Sequence, residues 1–211
     1  MKVLFLWLLL ISTASLHAAE TVVADMDTLL LDDWEQESFK GYTNYTLVNV
    51  DGVAALHAVS DNSASGLFRK QRIDLEKTPY LNWRWRVDQP LNRLDERTKA
   101  GDDYAARLYV MVSGGLFFWK TKAVNYVWSS SQAVGSHWDN AYTGQAQMVA
   151  VESGVENSGK WLSYKRNVVE DMRGLFGEDV RYIDGVAIMS DTDNGGGRVE
   201  AYYGNIYFSS E

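Results

Sequence analysis

The sequence predicts a mainly β fold, namely a two-sheet antiparallel β-sandwich (jelly roll) with one short helix near residues 167–176. Three observations predict it. Many segments alternate apolar and polar residues with period two, the pattern of a half-buried strand. Turn signals separate these segments, and only one segment has helical spacing. A chain with many strands and aromatic residues on their faces favours two sheets packed face to face.

The predicted strands share this period-two alternation, and they are Tyr45–Val50, Val53–Val59, Leu67–Leu75, Leu81–Val87, Ala105–Val112, Ala123–Trp128, Gln145–Val151, Tyr182–Ser190 and Val199–Ser209. Asp51-Gly52 lies between the first two strands and is the strongest hairpin signal. Asn167, followed by Glu170, predicts the start of the helix, and Gly177 predicts its end. The longest irregular stretches are Gln89–Asp102 and Ser129–Thr143, and loops of this length are often functional.

The composition excludes several kinds of chemistry. The chain has 211 residues, which indicates one domain. It has no cysteine, which excludes disulfides, thiolate nucleophiles and cysteine-ligated metals. The net charge of −8 disfavours nucleic acid as a partner. The sequence contains no phosphate-binding loop, dinucleotide fingerprint, zinc spacing or G-x-S-x-G motif, so we assign no catalytic residue.

The first residues are typical of a secretory signal peptide. A basic start precedes the apolar run Val3–Ile11, and the stretch Ser12–Ala19 is small and polar. We therefore predict a signal peptide over 1–19, a single β-sandwich domain over 20–211, and a periplasmic or secreted protein. The alternative is an uncleaved N-terminal anchor. No later stretch is long and apolar enough for a membrane helix, so we expect no membrane span after signal removal.

Six motifs occur in an order that resembles a known family. They are Trp83-Arg84-Trp85-Arg86-Val87, the run Gly101 to Val110, Tyr126-Val127-Trp128, Trp161 with Arg166, Asp171 and Phe176-Gly177, the run Asp191 to Asn194, and the run Ala201 to Phe208. Over roughly residues 22–209 the chain resembles the exported bacterial proteins grouped as domain-of-unknown-function family 3047 (DUF3047). This resemblance implies an exported single-domain protein with no established activity. More loosely, the W-x-W-x-V and Y-x-x-I-x-F strands look like galactose-binding-like jelly rolls, which include many carbohydrate-binding modules.

One strand face carries the candidate ligand site. Asp103, Arg107 and Tyr109 share a phase on one predicted strand. The expected binding set is Arg84, Arg86, Asp103, Arg107 and Tyr109, with Trp128, Trp138 and Asp191 at the rim. Arginines could pair with a ligand carboxylate or hydroxyls, and aromatic rings, including those of Trp119 and Tyr142, could stack on sugars. The alternatives are an ion-pair network covering the sheet face and aromatic side chains that fill the core.

Asp191 and Asp193 also suggest a calcium site, since carboxylates two residues apart in a glycine-rich loop begin an EF-hand. Gly195 and Tyr202 stand where that motif needs oxygen ligands, so the EF-hand match fails. A calcium site of a different kind stays open as a hypothesis. The alternative is a turn in which Asp and Asn side chains bond the local backbone. No other cofactor is expected.

The sequence therefore predicts a non-catalytic binder of a glycan or small polar ligand in the cell envelope. One alternative is a polysaccharide-active enzyme, a hydrolase or lyase using Asp, Arg and Tyr side chains. A second alternative is an envelope protein-interaction module. The identity of the ligand and the oligomeric state stay open.

Overall fold

The computed structural model describes residues 18–116 and 120–211 and confirms the predicted two-sheet sandwich with one helix. The signal prediction for 1–19 falls almost wholly outside the described residues, and Trp119 lies outside them too. Within the described ranges, no helix has the length and apolarity needed to cross a membrane.

In chain order, the strands and the helix are β1 Glu20–Ala24, β2 Glu35–Lys40, β3 Asn44–Val50, β4 Val53–Asp61, β5 Ala64–Asp74, β6 Tyr80–Val87, β7 Arg107–Val112, β8 Lys122–Ser129, β9 His137–Asn140, β10 Thr143–Ser153, β11 Leu162–Asn167, α1 Val168–Phe176, β12 Tyr182–Asp191 and β13 Arg198–Ser209. The first sheet has six strands in the order β11-β6-β13-β4-β3, and β1 pairs with β13. The second has seven strands in the order β2-β5-β12-β7-β8-β10-β9. Strands β8 and β10 run parallel, so this second sheet is mixed, not purely antiparallel.

Aromatic side chains fill the space between the sheets. Trp83 and Trp85 on β6 pack with Tyr126 and Trp128 on β8 and with Phe208 on β13. All five are at most 3% exposed. Full burial of a large apolar side chain contributes about 1.5–3 kcal/mol, so this cluster is a major part of the core. The alternating polar residues of β6 therefore lie on the outer face of the six-stranded sheet.

The predicted hairpin and helix are both confirmed. Asp51 and Gly52 join β3 to β4 with φ values of 55° and 79°, the left-handed conformations that a two-residue turn of this kind requires. The Asn167 side chain accepts a hydrogen bond from the Glu170 amide at 3.3 Å and caps α1. Gly177 ends the helix with φ 69°, and its amide donates to the Arg173 carbonyl.

The structure adds four strands that the sequence pattern did not predict: β1, β2, β9 and β11. Every residue of β2 is exposed, because it is an edge strand, and it therefore lacks alternation. Strand β9 lies inside the stretch expected to be irregular, 129–143. Edge strands such as β2 and β9 bury few side chains and leave little signal in a single sequence.

Candidate ligand-binding cleft

A cleft of about 500 Å³ crosses the outer face of the seven-stranded sheet. Its floor carries Arg107 and Tyr109 from β7, Asn125 from β8 and Met189 from β12. Leu108, the residue between the two β7 side chains, points the other way into the core. The period of two thus places polar side chains on the open face of the same strand whose apolar side chains hold the sheets together.

Two aromatic side chains stand beside this polar floor. Phe39 lies on edge strand β2 and is 61% exposed, and Tyr142 lies in the turn between β9 and β10 and is 56% exposed. Strands β2 and β9 are the two edges of the sheet, so the aromatic side chains flank the cleft from opposite sides. The Tyr142 hydroxyl donates to Asn194 Oδ1 at 2.9 Å and so ties this turn to the loop after β12.

Arg107 is the central group of the floor and is only 4% exposed. Its Nη2 donates to Asp191 Oδ2 at 2.6 Å and to the Asp102 carbonyl at 2.5 Å. Its Nη1 donates to the Tyr109 hydroxyl at 3.2 Å, and its guanidinium stacks over the Tyr104 ring at 4.1 Å. A buried cation needs such partners, because desolvation costs several kcal/mol. Arg107 is therefore fixed in place before any ligand arrives.

Four carboxylates lie near the end of β12, and two of them, Asp191 at 2.6 Å and Asp102 at 3.5 Å, pair with the Arg107 guanidinium. Asp102 accepts from the Asn140 side-chain amide at 3.1 Å, and the Asp103 carboxylate accepts from the Asn194 and Gly195 backbone amides. Oxygens of Asp103, Asp191 and Asp193 lie within 4.8 Å of one another. The pocket at the end of β12 is consequently acidic, with Arg107 as its buried counter-charge.

Burial and crowding shift the acid–base properties of the cleft. Burial raises the pKa of Asp191 well above its usual range, and the neighbouring Asp103 and Asp102 raise it further, against the lowering effect of Arg107. Burial and Asp103 likewise raise the pKa of Asp193. Burial also raises the pKa of the Tyr109 phenol to about 12, so it stays a neutral hydroxyl at physiological pH.

A buried glutamate fixes the long loop beside the cleft. Glu96 accepts hydrogen bonds from the Ser129 hydroxyl at 2.6 Å, the Ser130 amide at 2.5 Å and the Ser130 hydroxyl at 2.7 Å. Burial raises its pKa despite these bonds. These hydrogen bonds attach the loop over 89–102 to the end of β8. The same loop places Asp102 beside Arg107.

The structure separates residues that the sequence was expected to bring together. Arg107, Tyr109 and Asp191 line the cleft, whereas Asp103 lies behind it and holds the Asn194–Gly195 turn. The placement of Arg84 and Arg86 on this face was wrong, because β6 belongs to the other sheet. Adjacent strands in sequence need not share a sheet, and alternation cannot show which sheet they join.

The rim positions predicted for two tryptophans were also wrong. Trp128 is 1% exposed and packs in the core between the sheets, where its Nε1 donates to the Gly154 carbonyl at 2.9 Å. Trp138 is 5% exposed and packs with Tyr104 and Met148 in a small apolar cluster that does not line the cleft. A tryptophan beside a loop is often covered by it, because burial of so large a ring is favourable.

Several residues that line the cleft were not predicted as binding residues, among them Phe39, Asn125, Asn140 and Met189. Asn125 gave a detectable signal, because it is a polar residue in the middle of an apolar strand. It is 1% exposed, and its Oδ1 has no hydrogen-bond partner among the described residues. Phe39 gave no such signal, since β2 itself was not predicted.

The acidic cluster of Asp103, Asp191 and Asp193 is where a calcium ion at Asp191 and Asp193 would bind. Calcium prefers six to eight oxygen ligands. Here Arg107 already lies 2.6 Å from an Asp191 oxygen, and both Asp103 oxygens accept backbone amides. An oxygen of Asp191 and both oxygens of Asp103 are thus already engaged by protein donors. The donor set therefore fits an arginine-centred ion-pair network better than it fits calcium.

Comparison with known proteins decides the family. The sequence profile described as "Protein of unknown function (DUF3047)" matches residues 32–207. The chain belongs to this family. No curated protein matches this DUF3047 chain significantly in sequence.

The fold of this DUF3047 protein is shared with solved structures at low sequence identity. The family 30 carbohydrate-binding module of cellulosomal cellulase CEL9D-CEL44B of Clostridium thermocellum superposes with a TM-score of 0.50 at 10% identity, covering 85% of this chain and 92% of that one. The family 11 module of cellulase Lic26A-Cel5E from the same organism gives 0.48 at 12% identity, covering 91% and 95%. Cellulose induced protein Cip1 gives 0.49 at 11%, covering 88% and 94%. At 10% identity, the likeness to the family 30 module concerns the fold alone.

Proposed function

We propose that this DUF3047 protein binds a glycan in the cleft across its seven-stranded sheet, without catalysis. The observation that carries the proposal is the pair of exposed aromatic side chains, Phe39 and Tyr142, on opposite sides of a rigid polar floor. A sugar ring offers apolar C–H faces and a rim of hydroxyls, so it needs both kinds of surface at once. A concave site with a few fixed polar groups is also the usual form of a small-ligand site, whereas a protein-interaction module needs no cleft.

Several polar groups on the floor are available to sugar hydroxyls. The Tyr109 hydroxyl donates to a thioether, Met189 Sδ at 3.3 Å, which is a weak acceptor that a sugar oxygen could replace. Asp193 lines the cleft and can accept from a hydroxyl. The floor keeps its geometry in the unliganded protein because Arg107 is held by Asp191, Asp102 and Tyr109, and such preorganisation lowers the cost of binding. The signal peptide predicted over 1–19 supports an exported location, in the periplasm or outside the cell.

The test is affinity electrophoresis and calorimetry against soluble neutral polysaccharides, such as mixed-linkage β-glucan and glucomannan. Tyr142→Ala and Phe39→Ala should each weaken binding about thirtyfold, since truncating a central aromatic contact costs about 2 kcal/mol. Tyr42→Ala is the matched control, because Tyr42 is 70% exposed and does not line the cleft. Failure of every neutral glycan to bind, or equal weakening by the control, would refute the proposal.

A polysaccharide-active enzyme is the second candidate, favoured by one observation. Asp193 lies in the cleft with a raised pKa, which is the property of a general acid. A reducing-end assay on the polysaccharides that bind would detect turnover. Loss of that turnover in Asp193→Asn, with binding retained, would establish catalysis; its absence in the wild-type protein leaves binding as the function.

A further inference from the structure

The outer face of the six-stranded sheet carries a second groove, on the opposite side of the molecule from the cleft. Its volume is about 390 Å³, and its polar lining comes from three neighbouring strands. Arg84 on β6 lies between Ser163 and Lys165 on edge strand β11 and Asn205 and Tyr207 on β13. The chain as a whole has a net charge of −8, yet the described lining of this groove holds two cations and no carboxylate.

Arg84 differs from the arginine two positions along the same face. Arg86 is neutralised by Asp88 at 2.6 Å and by Asp51 at 2.7 Å. Arg84 forms no hydrogen bond or ion pair with any described residue. Its guanidinium lies 5.5 Å from the centre of the Trp161 ring, which is a cation–π contact. Its donors are therefore free. An arginine can present two parallel N–H groups to a carboxylate, which is a strong and directional pairing.

The backbone of β13 leaves space for the Arg84 side chain. The pairing of β13 with β6 is irregular between Tyr203 and Ile206, and Gly204 lies in this irregular segment. A Cβ at position 204 would lie 2.6 Å from Arg84 Nε. The absence of a side chain at Gly204 thus leaves room for the Arg84 side chain to lie flat on the sheet beside the groove.

The other groups around Arg84 suit a sugar that carries an anion. Lys165 lies over the Tyr80 ring at 4.6 Å and, in the described structure, has no carboxylate partner. The Ser163 and Tyr207 hydroxyls form no hydrogen bond with the described residues, and Asn205 uses only its Oδ1, as acceptor from the Met26 amide at 2.9 Å. Two cations with neighbouring hydroxyl and amide donors match a carboxylate flanked by ring hydroxyls.

We infer that this groove is a second binding site, specific for a uronic acid unit of an acidic polysaccharide. Arg84 pairs with the carboxylate and Lys165 adds a second positive charge. Asn205, Ser163 and Tyr207 bond the neighbouring hydroxyls. The site is separate from the cleft, so neither site requires the other.

Isothermal titration calorimetry with short oligogalacturonates and oligomannuronates tests this inference. One of the two should bind the wild-type protein, and its carboxyl-reduced, neutral counterpart should not. Arg84→Gln should weaken binding at least about tenfold, the effect of losing a charge-assisted pair. Arg93→Gln is the control for charge, because Arg93 is exposed and lies outside the groove. It should change affinity by less than about twofold.

Two further variants test the position of the Arg84 side chain and the independence of the groove from the cleft. Gly204→Ala keeps every charge but displaces Arg84, so it should also weaken uronate binding, while thermal unfolding checks that the variant is folded. Tyr142→Ala should leave uronate binding unchanged, which distinguishes this groove from the cleft. The inference is overturned if neither uronate binds, if Arg84→Gln binds as tightly as the wild type, or if inorganic phosphate binds at Arg84 and the uronates do not.

Discussion

Replacing Arg107 by methionine tests whether the cleft is organised around one buried cation. Methionine keeps much of the side-chain volume and removes the charge. The change leaves Asp191, which is 1% exposed, without its 2.6 Å partner. It also removes the closer donor to the Asp102 carbonyl, which keeps only the Asn194 side-chain amide at 3.5 Å. Breaking a buried pair by removing one partner costs about 3–5 kcal/mol. For a chain of this size the melting temperature Tm should fall by about 6–20 °C.

The assay is urea unfolding followed by tryptophan fluorescence, supported by calorimetry. Arg86→Met is the control, because its partners Asp88 and Asp51 are partly exposed, at 37% and 73%, and such pairs contribute about 1 kcal/mol or less. Adding Asp191→Asn to Arg107→Met should recover much of the loss, since it removes the unpaired charge but keeps an acceptor for the Tyr104 amide. The cost of Arg107→Met should also shrink as the pH falls and Asp191 takes up a proton. A loss below about 1 kcal/mol, or one no larger than that of the control, would refute the reasoning.

Three further predictions concern pH, calcium and the helix. Burial raises the pKa of Asp191 and of Glu96 in the folded state. The folded protein therefore binds more protons than the unfolded one. The contribution of these two groups to stability is complete below their ordinary pKa and falls as the pH rises through the raised pKa values. Calorimetry should therefore give a lower Tm at pH 8 than at pH 5.5, whereas a higher Tm at pH 8 contradicts this. Half-buried Asp74 and Glu200 have lowered pKa values, and their contribution is lost only as the pH falls below their ordinary pKa, outside this window. Millimolar calcium and EDTA should each leave Tm unchanged, because Arg107 already pairs with Asp191. A calcium-dependent rise in Tm that Asp193→Asn abolishes would contradict this and support a calcium site. Asn167→Ala should lower the free energy of unfolding by about 1 kcal/mol, measured by urea unfolding, because it removes the helix cap. Asn167→Asp keeps a capping oxygen and is the control. Equal loss in both variants would show that the cap does not act through the Glu170 amide.

The sequence predicts the sandwich because period-two alternation is local and strong. Trp83 and Trp85 face the core, as their spacing requires, and Arg84 and Arg86 face outward. What alternation cannot show is the pairing of distant strands. Strand β6 joins β11 and β13, and β7 joins β12 and β8, so two arginines expected beside Arg107 lie on the opposite side of the protein.

The candidate site was predictable in part for the same reason. Arg107 and Tyr109 were selected from charge and phase, and Asp191 from the acidic run that precedes three glycines. All three line the cleft. The aromatic residue Phe39 was not selected, because an exposed edge strand buries nothing and carries no periodic signal. Trp128 was misplaced because a loop follows it in sequence, whereas the side chain points between the sheets. Burial depends on what packs above a residue, and that is decided by tertiary structure.

The pairing of β1 with β13 has a consequence for aggregation. One edge of β13 pairs with β6. The other edge pairs with β4 along 198–203 and with β1 along 206–209. Strand β1 thus covers the backbone of Ile206, Tyr207 and Phe208, an apolar aromatic segment. An unpaired stretch of this composition is a template for strand addition from another molecule. Proteolytic loss of the five residues of β1 would therefore expose the unpaired backbone of β13 along 206–209. The shortened protein should then self-associate under conditions in which it is still folded.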